Sequence, residues 1–180
     1  MTQETVKAAM LAAIDRIKSD SAAAKLVFRA DTELVEDVKC TAKVRKFPPI
    51  TIDEPPQLGG NDAGPNPVEA VLVALGTCQE VVYSAYASVM GIKLDRVQCN
   101  LRGHLDLRGL FGMDPSIPPG FQKITYELIL ESSADEKSLQ QLVRTVESHC
   151  PVLDTIRRPV EVIGAVKING KAEGALSAAE

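Results

Sequence analysis

The chain has 180 residues and a mass of 19.3 kDa, and with 45% hydrophobic residues it can bury the core of one domain. Twenty basic against 24 acidic residues leave a net charge of −4 and a pI near 5.3, a field that repels nucleic acid and anionic lipid. Three Tyr, four Phe and no Trp are too few for base-stacking platforms, and no apolar run of about 20 residues or leader-like start is read, so the expectation is a soluble cytoplasmic protein with neither nucleic-acid nor membrane partners.

In chain order, Val6, Met10, Ala13, Ile14 and Ile17 recur at helical spacing and predict an amphipathic helix over residues 4–18. A short strand is expected over 25–30. Residues 37–46 alternate, with Val38, Cys40, Ala42 and Val44 on one face and Lys39, Thr41, Lys43 and Arg45 on the other, which predicts a strand ended by Pro48 and Pro49. One more short strand fits 50–53, and 54–67 (EPPQLGGNDAGPNP) is a loop by composition.

That loop ends on a helix-start signal. Asn66 can cap, Pro67 suits the first helical position, and Glu69 completes a capping box, so a helix is predicted from Pro67 to about Met90, stopped by Gly91. Val68, Val71, Leu72, Leu75, Val82 and Val89 form its apolar stripe, and Cys78 lies on that stripe with its thiol pointing inward. Residues 97–108 alternate as a half-buried strand with Cys99 on the apolar side. The loop over 109–120 carries Leu110, Phe111, Met113 and Ile117 and is expected to cover something, with Cys78 the candidate. A strand over 122–132 follows, then a helix over 135–149 with Leu139, Leu142, Val143 and Val146 on one face. Cys150 extends that face, and Pro151 places it at the helix end. A last strand is expected over 160–168, and residues 171–180 read as a flexible tail.

Four cysteines, Cys40, Cys78, Cys99 and Cys150, in a chain read as cytoplasmic are buried hydrophobes, ligands or reactive thiols rather than standing disulfides. There is no C-x-x-C, and His104 and His149 lie far apart, so neither a metal site nor a thioredoxin-type centre is expected. The glycines of 58–64 lack the Lys and Ser/Thr of a phosphate-binding loop, and no nucleotide site follows. Cys40 and Cys99, mid-strand on apolar faces, read as structural. Cys78 and Cys150 occupy inner faces of two helices, where both readings stay open: small hydrophobes, or a pair close enough to bridge.

The segment DEPPQLGGNDAGPNPVEAVLVALGTC at 53–78, DLRGLFG at 106–112, PPGFQKI at 118–124, ESHCPVLDTI at 147–156 and PV at 159–160 together resemble the OsmC/Ohr family of thiol-dependent peroxidases. The similarity runs over about residues 38–168, giving an OsmC-like domain at 38–170 with an N-terminal helix-and-strand extension at 1–37 and the tail at 171–180. The resemblance implies an α+β fold in which two central helices pack against curved antiparallel sheets, and an intertwined homodimer with active sites at the interface. It implies that Cys78 is the peroxidatic and Cys150 the resolving cysteine, that an Arg, here Arg45, holds the thiolate, and that no metal or organic cofactor is needed. A dithiol, a lipoylated protein or thioredoxin, would reduce the resulting disulfide. The family's Glu follows Asn-Pro directly, whereas here Val68 intervenes before Glu69. Nine residues from Cys78, Glu69 is rotated by about 900° and displaced about 13.5 Å along one helix, so it acts as a cap or meets an Arg or thiol of a partner chain. The expected activity is reduction of organic hydroperoxides. The rival expectation is a stress protein that binds a small apolar ligand or senses oxidation without turnover.

Overall fold

The computed structural model describes residues 2–176, the side chains of 172–176 excepted. Thr2 accepts a hydrogen bond from the Thr5 amide and starts α1 (Gln3–Ser19), which lies along the central helix and buries none of its residues fully. Residues 25–30, expected as a strand, carry no regular structure and leave Leu26, Val27 and Phe28 exposed. The strand starts later, as β1 (Asp31–Glu36), and pairs antiparallel with β2 (Lys39–Lys43), which in turn pairs with β3 (Ile50–Ile52). Cys40 stands opposite Leu34 on one side and Ile52 on the other.

β2 is shorter than its alternating sequence predicts. The Phe47 amide donates to the Val44 carbonyl, closing a turn in which Arg45 adopts φ 52°, a left-handed conformation that costs a non-glycine residue on the order of 1 kcal/mol. Arg45 therefore does not lie on the polar face of a strand. Its guanidinium sits over the Phe47 ring at 4.6 Å, and both side chains are exposed.

The loop from 53 to 66 is wound around one carboxylate. Asp53, 1% exposed, accepts from the amides of Glu54, Asn61 and Ala63, and these bonds, that of Ala63 foremost, hold its carboxyl below the usual range. The loop delivers Asn66 to the start of α2 (Pro67–Met90), where the expected capping box forms: the Glu69 amide donates to Asn66 and the Asn66 amide to Glu69, both at 2.9 Å. Gly91, at φ 71°, ends the helix as its sequence predicts. At 24 residues α2 is, among the described residues, the helix whose length and composition would allow it to cross a bilayer, a property the sequence reading did not register. Here it is the central element, packed against α1 and against elements that follow it.

β4 (Arg96–His104) and β5 (Lys123–Glu131) form a two-stranded antiparallel sheet in which Cys99 faces Leu128 and Leu101 faces Tyr126. Between them Asp106 caps α3 (Leu107–Leu110), and the Arg108 side chain bonded to it draws its carboxyl down to about 2. Leu110, Phe111 and Met113 are 52%, 58% and 72% exposed, and of the four residues expected to form a cover Ile117 alone is half-buried. Asp135 caps α4 (Glu136–His149). Pro151, expected only to end that helix, also begins another, α5 (Pro151–Arg157), because proline fits a first helical turn whose amide needs no partner. β6 (Gly164–Ile168) forms a hairpin with β7 (Lys171–Leu176), which occupies most of the segment expected to be a flexible tail; residues 177–180 of that expectation lie outside the described residues.

The fold is α+β, with α2 and α4 packed on each other and α2 laid on β4. Two small cores result, one of Tyr83, Ala87, Ile92, Leu142 and Val146, the other of Leu75, Cys150 and Leu153. The chain exposes 13471 Å², against about 8,500 Å² for a globular monomer of its mass.

Candidate active site at the Cys78–Cys150 pair

α2 places Cys78 one turn after Leu75 on the face that meets α4 and α5. Cys150 sits between those two helices with extended backbone, φ −75° and ψ 112°, its amide donating to Val146 and its carbonyl accepting from Asp154. The junction turns the thiol inward, where it is 1% exposed among Leu75 and Leu153. The two sulfurs, 72 residues apart in sequence, lie 3.4 Å from each other, the Cys150 thiol donating toward Cys78. Both cysteines are free.

The two thiols differ in access. Cys78 is half-buried and Cys150 fully buried, so a small molecule entering from solvent meets Cys78 first. Burial pushes the Cys78 thiol up, the Val152 amide of α5 pulls it down by hydrogen bonding, and Cys150 pushes it up again, with a net rise. A reactive thiolate needs the opposite, since at the ordinary value only about 3% of a thiol is ionised at pH 7.

Within one chain the expected activators are placed elsewhere. Arg45 is on its exposed turn against Phe47, and Glu69 is engaged in the capping box at the start of α2. His149 is bonded to the Thr145 carbonyl at 2.7 Å and its ring lies tilted against that of Tyr86, the centroids 5.4 Å apart. Cys99, on the sheet side of α2, is raised by burial and by Glu80, whose carboxylate accepts from the Cys99 amide.

Sequence reasoning passed over two contributors. Val152 reaches Cys78 through its amide, which no side-chain pattern reveals, although the Cys-Pro pair could have marked the start of α5. Gln79, next to Cys78, is buried to 1% exposure with its Nε2 unpartnered. A pocket of about 360 Å³ opens between α2, β5 and α5; its walls include Phe121 and also Leu75 and Leu153, which pack with Cys150, but neither cysteine lines it. Phe121 lies so close to β4 that a Cβ on Gly103 would stand 2.3 Å from its ring, so glycine at 103 is what admits this wall. Among the described residues no three His, Cys, Asp or Glu side chains gather as a metal-binding group.

The family model described as "OsmC-like protein" matches residues 59–163. No curated protein matches the chain. Among solved structures, an OsmC-like protein from Mycoplasma pneumoniae superposes with TM-score 0.62 at 22% identity, over 74% of this chain and 89% of that one. An organic hydroperoxide resistance protein OsmC from Legionella pneumophila gives TM-score 0.54 at 19% identity, over 74% and 92%. A putative organic hydroperoxide resistance protein from Vibrio cholerae, with captopril bound in one of its active sites, gives 0.53 at 17%, over 83% and 96%. With a family match that spans more than half of its length and takes in both cysteines of the pair, the chain belongs to the OsmC-like family.

Proposed function

We propose that the protein is a thiol-dependent peroxidase that reduces organic hydroperoxides to alcohols, with Cys78 peroxidatic and Cys150 resolving. The observation that carries this reading is the 3.4 Å between the two sulfurs. A disulfide needs about 2.05 Å, so the pair is one small movement from bonding, and the α4–α5 junction at Cys150 is where the backbone can supply it. Cys78 thiolate attacks the outer peroxide oxygen, the O–O bond breaks, and the alkoxide leaves and takes a proton as alcohol. The Cys78 sulfenic acid then condenses with the Cys150 thiol, forming the S–S bond and releasing water. An external dithiol, a lipoylated protein or thioredoxin, returns both thiols by exchange and is itself oxidised. Such a cycle belongs in a reducing compartment such as the cytoplasm.

The working unit is a homodimer. The surface in excess of a globular monomer, about 5,000 Å², is more than a standard interface buries, and exposed Leu110, Phe111 and Met113 need a cover that one chain does not give. Across that interface Arg45 and Glu69 meet a thiolate that neither approaches in its own chain. A second reading, a binding or sensing protein without turnover, is favoured by the raised Cys78 thiol.

Two measurements separate the readings. One equivalent of cumene hydroperoxide removes two free thiols from a peroxidase or a sensor and none from a binding protein, and with excess dihydrolipoate the peroxidase consumes many equivalents of peroxide per chain whereas a sensor consumes about one. Cys78→Ser abolishes peroxide consumption, and Cys150→Ser allows one turnover and leaves a sulfenic acid that dimedone traps. Loss in both variants with no trapped sulfenate in Cys150→Ser contradicts the roles.

A further inference from the structure

Gln79 is a buried polar side chain beside the thiols that the reaction above does not use. It is 1% exposed, and its Nε2 has no acceptor among the described residues. Its level in the helix pair follows from its neighbours. Leu75, one turn before it, clusters with Cys150, whereas Tyr83, one turn after it, clusters with Val146, one turn before Cys150. α2 and α4 therefore pack antiparallel, and Gln79 stands between the Leu75–Cys150 layer and the Tyr83–Val146 layer, about 6 Å along the axis from each. Side chains on a helix lean toward its N-terminus, which carries the Gln79 amide toward the Cys150 layer. Cys150 is itself 1% exposed and its thiol bonds to Cys78. Cys99 of β4 and Tyr126 of β5, which interact with Cys150 across the core, are acids and give a negative sulfur no cation.

We propose that the Gln79 carboxamide donates to the Cys150 sulfur whenever that sulfur carries negative charge. For the first of two such steps the proposal rests on the peroxidase reading. In resolution, Cys150 bonds to the Cys78 sulfur, the S–O bond of the sulfenic acid breaks, and the Cys150 proton leaves with the hydroxide as water. Charge builds on Cys150 as that proton departs. In recycling, a thiolate of the external dithiol attacks the more accessible Cys78. The S–S bond breaks, Cys150 takes the electron pair and is then protonated, and the second thiol of the dithiol frees Cys78 by closing its own disulfide. A buried thiolate has no water to bond, and an N–H donor serves it. A neutral thiol is a weak acceptor, which is why the donor stands unpaired at rest.

The test isolates the pair in a Cys40→Ala/Cys99→Ala parent, oxidises it with diamide and follows its reduction by dithiothreitol, a step that needs no peroxide. In Gln79→Met, which keeps the length of the side chain, reduction at pH 7 slows at least tenfold. With one equivalent of cumene hydroperoxide, peroxide loss in that variant stays within about twofold of the parent, disulfide formation slows at least tenfold, and the Cys78 sulfenic acid accumulates between the two steps. Gln79→Glu separates donation from packing. Its reduction rate relative to the parent falls between about pH 5 and 9, because the neutral acid donates and the carboxylate repels, whereas the relative rate of Gln79→Met is flat over that range. Tyr126→Phe, which removes the phenol donor packed on the same cluster, leaves both rates within about twofold. Reduction of Gln79→Met at the parent's rate, a flat profile for Gln79→Glu, or an equal loss in Tyr126→Phe overturns the assignment and leaves the peroxidase reading standing. Slower reduction in Gln79→Met of a protein that consumes no peroxide supports the donor and removes the peroxidase reading alone.

Discussion

Gln79 occupies the middle of the inner face of α2, one turn from Leu75 and one turn from Tyr83, all three at most 2% exposed. Its neighbours keep water away, and its Nε2 has no acceptor, an arrangement that costs about 1–3 kcal/mol. Gln79→Met keeps length and flexibility while removing the unpaired donor. It is expected to stabilise the protein by about 1 kcal/mol, read as a higher urea midpoint at unchanged slope. An unchanged or lower midpoint means that the amide finds its acceptor in the assembled protein. The adjacent Cys78 shows the same tension between burial and polarity: burial favours the neutral thiol, and only the Val152 amide favours its thiolate. That amide was invisible in the sequence because backbone donors carry no residue signature.

At the scale of elements, the loop before α2 depends on Asp53. One carboxylate oxygen serves the Glu54 amide and the other serves Asn61 and Ala63, so Asp53→Asn must present an NH2 group to at least one donor. A fall in Tm of roughly 3–8 °C is expected by calorimetry at pH 7. The pH dependence has a definite sign. Because the folded carboxyl titrates below its ordinary value, the unfolded chain binds the extra proton first; the contribution is full at neutral pH and is lost as pH falls below about 4 toward the folded value. The gap in Tm between wild type and Asp53→Asn therefore narrows on acidification, and a constant gap from pH 7 to about 3 contradicts the assignment.

These elements also show what the sequence disclosed. The start of α2 was legible because Asn66, Pro67 and Glu69 are a local code, read within one turn. The turn at Arg45 was not, since alternation continues through Val44 and Arg45 while Pro48 and Pro49 and the Phe47–Val44 hydrogen bond bend the chain earlier. α5 was hidden because proline both stops one helix and starts the next. β7 was hidden by its short side chains, as pairing with β6 supplies backbone hydrogen bonds that composition does not signal. That Cys78 and Cys150 share helical inner faces was readable, but their meeting depends on the packing of α2 against α4 and α5, which periodicity alone does not fix.

On the scale of the molecule, two small cores cannot account for a chain that is 45% hydrophobic. Leu26, Val27 and Phe28 are 69%, 82% and 89% exposed, and both edges of the β4–β5 sheet lack a further strand among the described residues. A second copy would satisfy all three, so sedimentation at micromolar concentration is expected to show a dimer of the 19.3 kDa chain, and a folded monomer excludes it. Such a dimer would also bear on chemistry. In one chain the Cys78 thiol titrates above its ordinary value, so its thiolate fraction grows about tenfold per pH unit throughout the neutral range. Arg45 of a second chain near the sulfur reverses that sign, because an adjacent cation favours the charged form. Alkylation of Cys78 by iodoacetamide in a Cys40→Ala/Cys99→Ala/Cys150→Ala background is then expected to level off by about pH 7 in the assembled protein. With Arg45→Gln added, the rate at pH 7 falls at least tenfold and keeps climbing past about pH 8. Superimposable pH profiles with and without Arg45 show that this guanidinium does not serve the thiolate, and the exposed turn that strains to present it then needs another explanation.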